Sequence, residues 1–204
     1  MKQYLERSMS FGLYTALLEH LVEEGKTTGV KQSESLANFT KLNFQRMNRL
    51  AKTITLSDET ADAVRANVLP QTWLVITEAW CGDAAQNIPI IEKIAAKSDI
   101  IETRYILRDE NPQLIDRFLT FGARAVPKVI ALDRSTNKVI WTWGARPKAA
   151  QELFVSLKVK GVEKATIMEE LQRWYNEDKG RSVLNEFSEL LLGSGGRKTS
   201  RAAA

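Results

Sequence analysis

Apolar positions recur with two different periods along this chain. Leu13, Leu17, Leu18 and Leu21 fall at helical spacing between Phe11 and Glu24, and Gly25 ends the run. A second helical stretch, Glu34 to Ala51, carries Leu36, Phe39, Met47 and Leu50. A shorter helix is predicted from Asp58 to Asn67, behind Ser57 as its N-cap. Residues 1–68 therefore read as helices, and the pattern then changes. Trp73 to Thr77 is a short apolar run of strand type, followed by a helix from Asp83 to Lys97, a strand from Glu102 to Leu107 and a helix from Pro112 to Phe121. Strands Lys128 to Leu132 and Lys138 to Trp143 flank the polar turn Arg134-Ser135-Thr136-Asn137, which predicts an antiparallel hairpin. The first two strands are joined by a helix and should be parallel. A helix from Lys148 to Lys158 follows, and Glu163 to Leu192 is again helical with a break near Gly180.

The chain's single cysteine lies at one of these junctions. In Trp80-Cys81-Gly82-Asp83-Ala84, Cys81 stands between the first strand and the start of a helix. Unpaired N–H groups and the positive end of the helix dipole favour an anion there, so a thiolate should form more easily than in free cysteine. Asp83 acts the other way, since a carboxylate in the first turn supports the helix but repels a thiolate.

The segment resembles the active site of thioredoxin, in which Trp-Cys-Gly-x-Cys closes a core strand and opens a helix. Ala84 occupies the place of the second cysteine and Asp83 that of the usual proline. The resemblance extends over roughly residues 70 to 160. Pro89 matches a helix-kinking proline, Ala125-Val126-Pro127 a segment carrying a cis-proline, and Trp143-Gly144 the end of a strand lining the groove. Val75 stands where thioredoxin has a buried aspartate that serves the second cysteine. With Arg108-Asp109-Glu110-Asn111 and Trp143-Gly144-Ala145-Arg146, the chain looks like a single-cysteine branch of the thioredoxin-like superfamily.

That resemblance implies an α/β fold: a thioredoxin-like core with a four-stranded mixed sheet flanked by helices, in the order second, first, third, fourth, plus N-terminal and C-terminal helical extensions. The expected organisation is a helical extension over 1–68 packed on the core, a thioredoxin-like domain over 69–160, a C-terminal helical extension over 161–192 and a disordered tail over 193–204. It also implies that Val126 faces Cys81 beside a cis Pro127, where an extended partner strand can pair. Trp80, Gly82, Asp83, Val126, Pro127 and Gly144 then shape the site. Trp80 either shields the thiol or packs in the core. Arg108, Arg124 and Arg146 should approach the Cys81 end of the sheet, where one or more pairs with Asp83 or binds an anionic partner.

Composition narrows the function further. The formal charge is +4, but Arg197, Lys198 and Arg201 lie in the Gly/Ser-rich tail; removing those three leaves +1 for residues 1–192. That balance and the absence of a nucleic-acid motif argue against nucleic acid as a partner. No apolar run is long enough for a membrane span and no signal-peptide pattern opens the chain, so a cytoplasmic location is expected. One cysteine and one histidine, His20, are poor material for a metal site or a Cys-His mechanism, and no cofactor is expected. Asp109 and Glu110 read as loop and helix-start residues.

Two main functions remain. In the first, Cys81 is the catalytic residue of a monothiol thiol–disulfide oxidoreductase; it forms mixed disulfides with a disulfide-containing protein or a low-molecular-weight thiol, and an external thiol resolves them. In the second, the groove beside Pro127 binds a peptide or small ligand without chemistry. A sulfenic-acid sensor would use the same residue. The oligomeric state is not specified.

Overall fold

A computed structural model describes residues 1–195. Three N-terminal helices start at serine caps, because each serine hydroxyl accepts a backbone N–H that the first turn leaves unpaired. Ser10 accepts from Leu13 N at the head of α2 (Phe11–Glu23), Ser33 from Leu36 N at α3 (Glu34–Thr53) and Ser57 from Thr60 N at α4 (Asp58–Ala66). A short α1 (Lys2–Glu6), not predicted from the pattern, precedes them. The α2 stripe is rotated from its expected position: Tyr14, Leu18 and Leu21 are buried, whereas Leu13 faces solvent. Phe39 of α3 is likewise 48% exposed.

The sheet comprises β1 (Gln71–Thr77), β2 (Ile101–Leu107), β3 (Lys128–Asp133) and β4 (Val139–Gly144), in the order β2-β1-β3-β4. β1 pairs parallel with β2 and antiparallel with β3, and β3 pairs antiparallel with β4. This is the mixed four-stranded sheet that the resemblance implies. All of β1 is buried, as expected of a central strand covered on both faces. The outer edge of β2 is partly closed by Met9, which exchanges backbone hydrogen bonds with Tyr105 at 2.7 and 2.8 Å. In the hairpin turn, Asp133 Oδ1 accepts the N–H groups of Ser135 and Thr136, and Asn137 takes a left-handed φ of 55°.

Helix α5 (Gly82–Ala95), which contains Pro89, packs between the sheet and α3. Tyr14 of α2 stacks on Tyr105 of β2 with ring centroids 5.0 Å apart. The far end of the core is aromatic: Phe187 lies 5.2 to 5.6 Å from Trp73, Trp141 and Trp143. The helix expected over Pro112 to Phe121 is shorter. α6 covers only Pro112–Ile115: beyond it Arg117 and Phe118 donate to the carbonyls three residues back, and the chain then turns back at Phe121 and Gly122, both with positive φ, where Thr120 pairs with Ala123. α7 (Lys148–Val159) and α8 (Lys164–Asp178) form a hairpin with its own small core of Ala150, Ile167 and Leu171. The expected break falls at Lys179 and Gly180, and a Cβ at Gly180 would stand 2.7 Å from Ile90 Cδ1. α9 (Arg181–Gly195) continues through residues 193–195, which the pattern assigned to a disordered tail; the rest of that tail lies outside the described residues. No helix among the described residues is long and apolar enough to cross a membrane.

Candidate functional site

Cys81 is the N-cap of α5, set there by the end of β1 and by a backbone hydrogen bond from its N–H to Glu78 O. Its side chain is buried, with 8% exposure, and Sγ donates to Val126 O at 3.1 Å. The Val126–Pro127 peptide is cis, and the Sγ contact puts Val126 against the thiol, where it was expected. Gly144 closes the same corner. A Cβ there would stand 2.2 Å from Pro127 O, and its φ of +112° suits glycine alone. Lys128, buried beside them, donates from Nζ to Gly144 O at 2.9 Å. Burial pulls the Lys128 pKa down.

The expected low-pKa thiol is not what this geometry produces. Burial pushes the Cys81 pKa up to about 12, and the Asp83 charge adds to the rise. N–H groups of Ala84 and Asp83 and the charge of Arg146 only partly offset it. The helix terminus acts as expected, but desolvation outweighs it because the sulfur is closed off from water.

The three arginines separate. Arg146 forms an ion pair with Asp83 at 2.7 Å, both side chains 12% exposed. Its guanidinium lies 4.3 Å from the centroid of the Phe154 ring and donates to Gln151 Oε1 at 3.1 Å. Tyr175 of α8 donates to Asp83 Oδ1 at 2.9 Å, and Asn87 Nδ2 donates to both Tyr175 Oη and Asp83 O. Burial raises the Asp83 pKa, with Arg146 and then Tyr175 offsetting part of the rise. Arg124 instead pairs with Asp116 at 2.6 Å on the exposed surface. Arg108 pairs with Asp109 at 2.7 Å and lies 4.7 Å from the centroid of the Trp80 ring. Trp80 is half-buried beneath that guanidinium, which places it at the rim of the site.

Several residues at the site lacked a clear sequence signal. Glu78 is fully buried three residues before Cys81, accepting from Thr28 Oγ1 and from Asp109 N at 2.8 Å. Thr28 Oγ1 in turn accepts from Ala79 N at 2.9 Å. Burial raises the Glu78 pKa. The loop before α3 thus holds both the cysteine loop and the Arg108 to Asn111 segment. Asn43 of α3 donates to Ala79 O at 3.0 Å, and Arg46 Nη1 lies 3.8 Å from where a Cβ at Gly82 would stand. The only local sign of the Glu78 contacts was a carboxylate directly after an apolar strand. Tyr175 and Arg46 reach the site from sequence-distant helices. Among the described residues no group of three or more His, Cys, Asp and Glu is placed to hold a metal ion.

Two solved structures are similar to this one. One is a protein of unknown function from Pseudomonas aeruginosa, with a TM-score of 0.58, 17% identity, and coverage of 78% of this chain and 91% of that one. The other is an HIV epitope-scaffold, with a TM-score of 0.56, 16% identity, and coverage of 91% and 99%. At those identities the likeness concerns the fold alone. No curated protein matches the sequence. The family described as Thioredoxin matches residues 29–177, a span that takes in α3, α4 and most of α8 as well as the sheet and the cysteine loop. The chain therefore belongs to the thioredoxin family.

Proposed function

We propose that this chain is a single-cysteine member of its family and performs monothiol thiol–disulfide exchange at Cys81, with the thiol held protonated until a partner arrives. The observation that carries this reading is the Sγ–H contact to Val126 O at 3.1 Å. That carbonyl is also the acceptor an extended partner strand would use. A partner that displaces the Sγ–H from Val126 O, a strand through its N–H or a small disulfide by occupying the same corner, removes an interaction favouring the protonated thiol, while the N–H groups of Asp83 and Ala84 remain available to the thiolate. The proton leaves to solvent. The thiolate then attacks one sulfur of the partner disulfide, the S–S bond breaks, and the other half departs as a thiolate that takes up a proton. Ala84 cannot resolve the mixed disulfide, so an external thiolate attacks it and releases Cys81.

Arg146 contributes by neutralising Asp83, whose charge would otherwise hold the thiol protonated more firmly. Incubation with a neutral disulfide such as bis(2-hydroxyethyl) disulfide, without added thiol, should leave one half on Cys81, detected by intact mass and reversed by dithiothreitol. No adduct at any accessible pH would discard the exchange reading. The same raised thiol pKa favours a second reading, a binding module that pairs strands at Val126 without chemistry. Partner binding that survives Cys81→Ala would select it.

A further inference from the structure

A groove of about 420 Å³ opens beside the cysteine loop, between α3, the Arg108 segment and the start of α8. Trp80 forms part of its wall, Phe39 faces it from α3, and Lys31, Arg108 and Lys164 supply three cations. The one carboxylate among the lining residues, Asp109, is occupied by Arg108 at 2.7 Å. Lys31 and Lys164 are exposed and have no carboxylate within ion-pair distance among the described residues. An adjoining depression shares Ser35 and Phe39 but carries Glu34, so the cationic stretch is confined to the Trp80 side.

Outside the groove lining, Arg46 adds a further positive charge against the cysteine loop. It follows Phe39 by two helical turns and so lies on the same side of α3, with its guanidinium against Gly82, the residue after Cys81. It too has no carboxylate partner among the described residues. The volume is in the range of small-ligand sites, and aromatic walls with lysines at the rim suit a short apolar chain ending in an anion. Lysine is well suited to such a group as a hydrated point charge on a flexible stem.

We infer that this groove binds a small carboxylate-bearing disulfide or its thiol, placing the carboxylate between Lys31 and Lys164 and the sulfur toward the cysteine loop at Trp80. The inference deepens the exchange reading by naming its substrate class, and its test separates the two. Because Cys81 is the only cysteine, every covalent adduct reports on one sulfur.

Cys81 is treated in parallel with anionic iodoacetate and neutral iodoacetamide, and with anionic 3,3′-dithiodipropionate and neutral bis(2-hydroxyethyl) disulfide. Each anionic-to-neutral rate ratio is compared with that of the denatured protein. The folded protein should favour the anionic reagents, and the double variant Lys31→Gln/Lys164→Gln should lower that ratio by about threefold or more, with the neutral rate unchanged. Salt at 0.5 M should erase the same preference. Arg46→Gln should lower the ratio further and Arg46→Lys should restore most of it.

Charge bias in alkylation without any disulfide adduct would overturn the exchange reading and leave the anion groove standing. Adducts from the neutral disulfide without charge bias would overturn the groove and leave exchange standing. Equal loss of anionic and neutral rates in the lysine double variant, or no reaction with any reagent, would overturn the groove assignment.

Discussion

The pH dependence of Cys81 alkylation tests the electrostatics of the site most directly. The sulfur is closed off from water and faces Asp83, which lifts its pKa from the ordinary 9.0 to about 12. At pH 8 the folded thiol is then ionised to roughly one part in 10⁴, against about one in ten for an unperturbed group. The more basic thiolate is also the stronger nucleophile, and a Brønsted slope of about 0.4 to 0.5 returns roughly 16- to 32-fold over three units. Cys81 should therefore react about 30- to 60-fold more slowly in the folded than in the unfolded protein at pH 8. Its rate should also keep rising nearly tenfold per pH unit well past pH 9. Iodoacetamide labelling followed by intact mass, from pH 7 to 11 with urea-unfolded protein as reference, measures both. The same shift sets a stability slope. The native state holds its proton where the unfolded state has lost it, so the contribution is fully present below pH 9 and falls by about 1.4 kcal/mol per unit as pH rises toward 12. The stability of the wild type relative to Cys81→Ser should decline over that window. A labelling rate that levels off at or below pH 9 would refute the reasoning, since it would mean that the helix N–H groups and Arg146 outweigh burial.

Three further expectations concern the surroundings of the thiol. Arg146→Met leaves the Asp83 carboxylate without its counter-charge and should cost about 3 kcal/mol in urea unfolding; adding Asp83→Asn should recover most of it, and a single-variant loss under 1 kcal/mol would contradict the pairing. Gly144→Ala places a methyl group 2.2 Å from Pro127 O at a φ of +112° and should lower stability by about 3 kcal/mol or more; a neutral effect would contradict that packing. Glu78 has a raised pKa through burial, so the wild type should lose stability relative to Glu78→Gln as pH rises above 4.5 through the folded-state value; a gap that moves the other way would contradict it.

Much of the architecture was legible locally. The switch from helical to strand spacing near residue 70, the serine at Ser57, the polar turn after Leu132 and the glycine at position 180 each act through backbone preferences that a few neighbouring residues determine. The same holds for the placement of Cys81 between a strand and a helix, and for the resemblance at Pro127 that puts Val126 against it. What that placement does to the thiol was not legible. A helix N-terminus is a local feature visible in the order of residues, but desolvation depends on what the rest of the chain packs over the sulfur. Tyr175 and Asn43 come from helices far away in sequence, and which of the three arginines meets Asp83 is decided by packing: Arg146, between β4 and α7, does, whereas Arg124 and Arg108 pair with Asp116 and Asp109. Phe39 fits a core stripe by spacing, yet α3 is rotated so that it lines a groove with Trp80. Periodicity records which residues share a face of a helix; which way that face turns, and which charges become buried with it, depends on long-range packing.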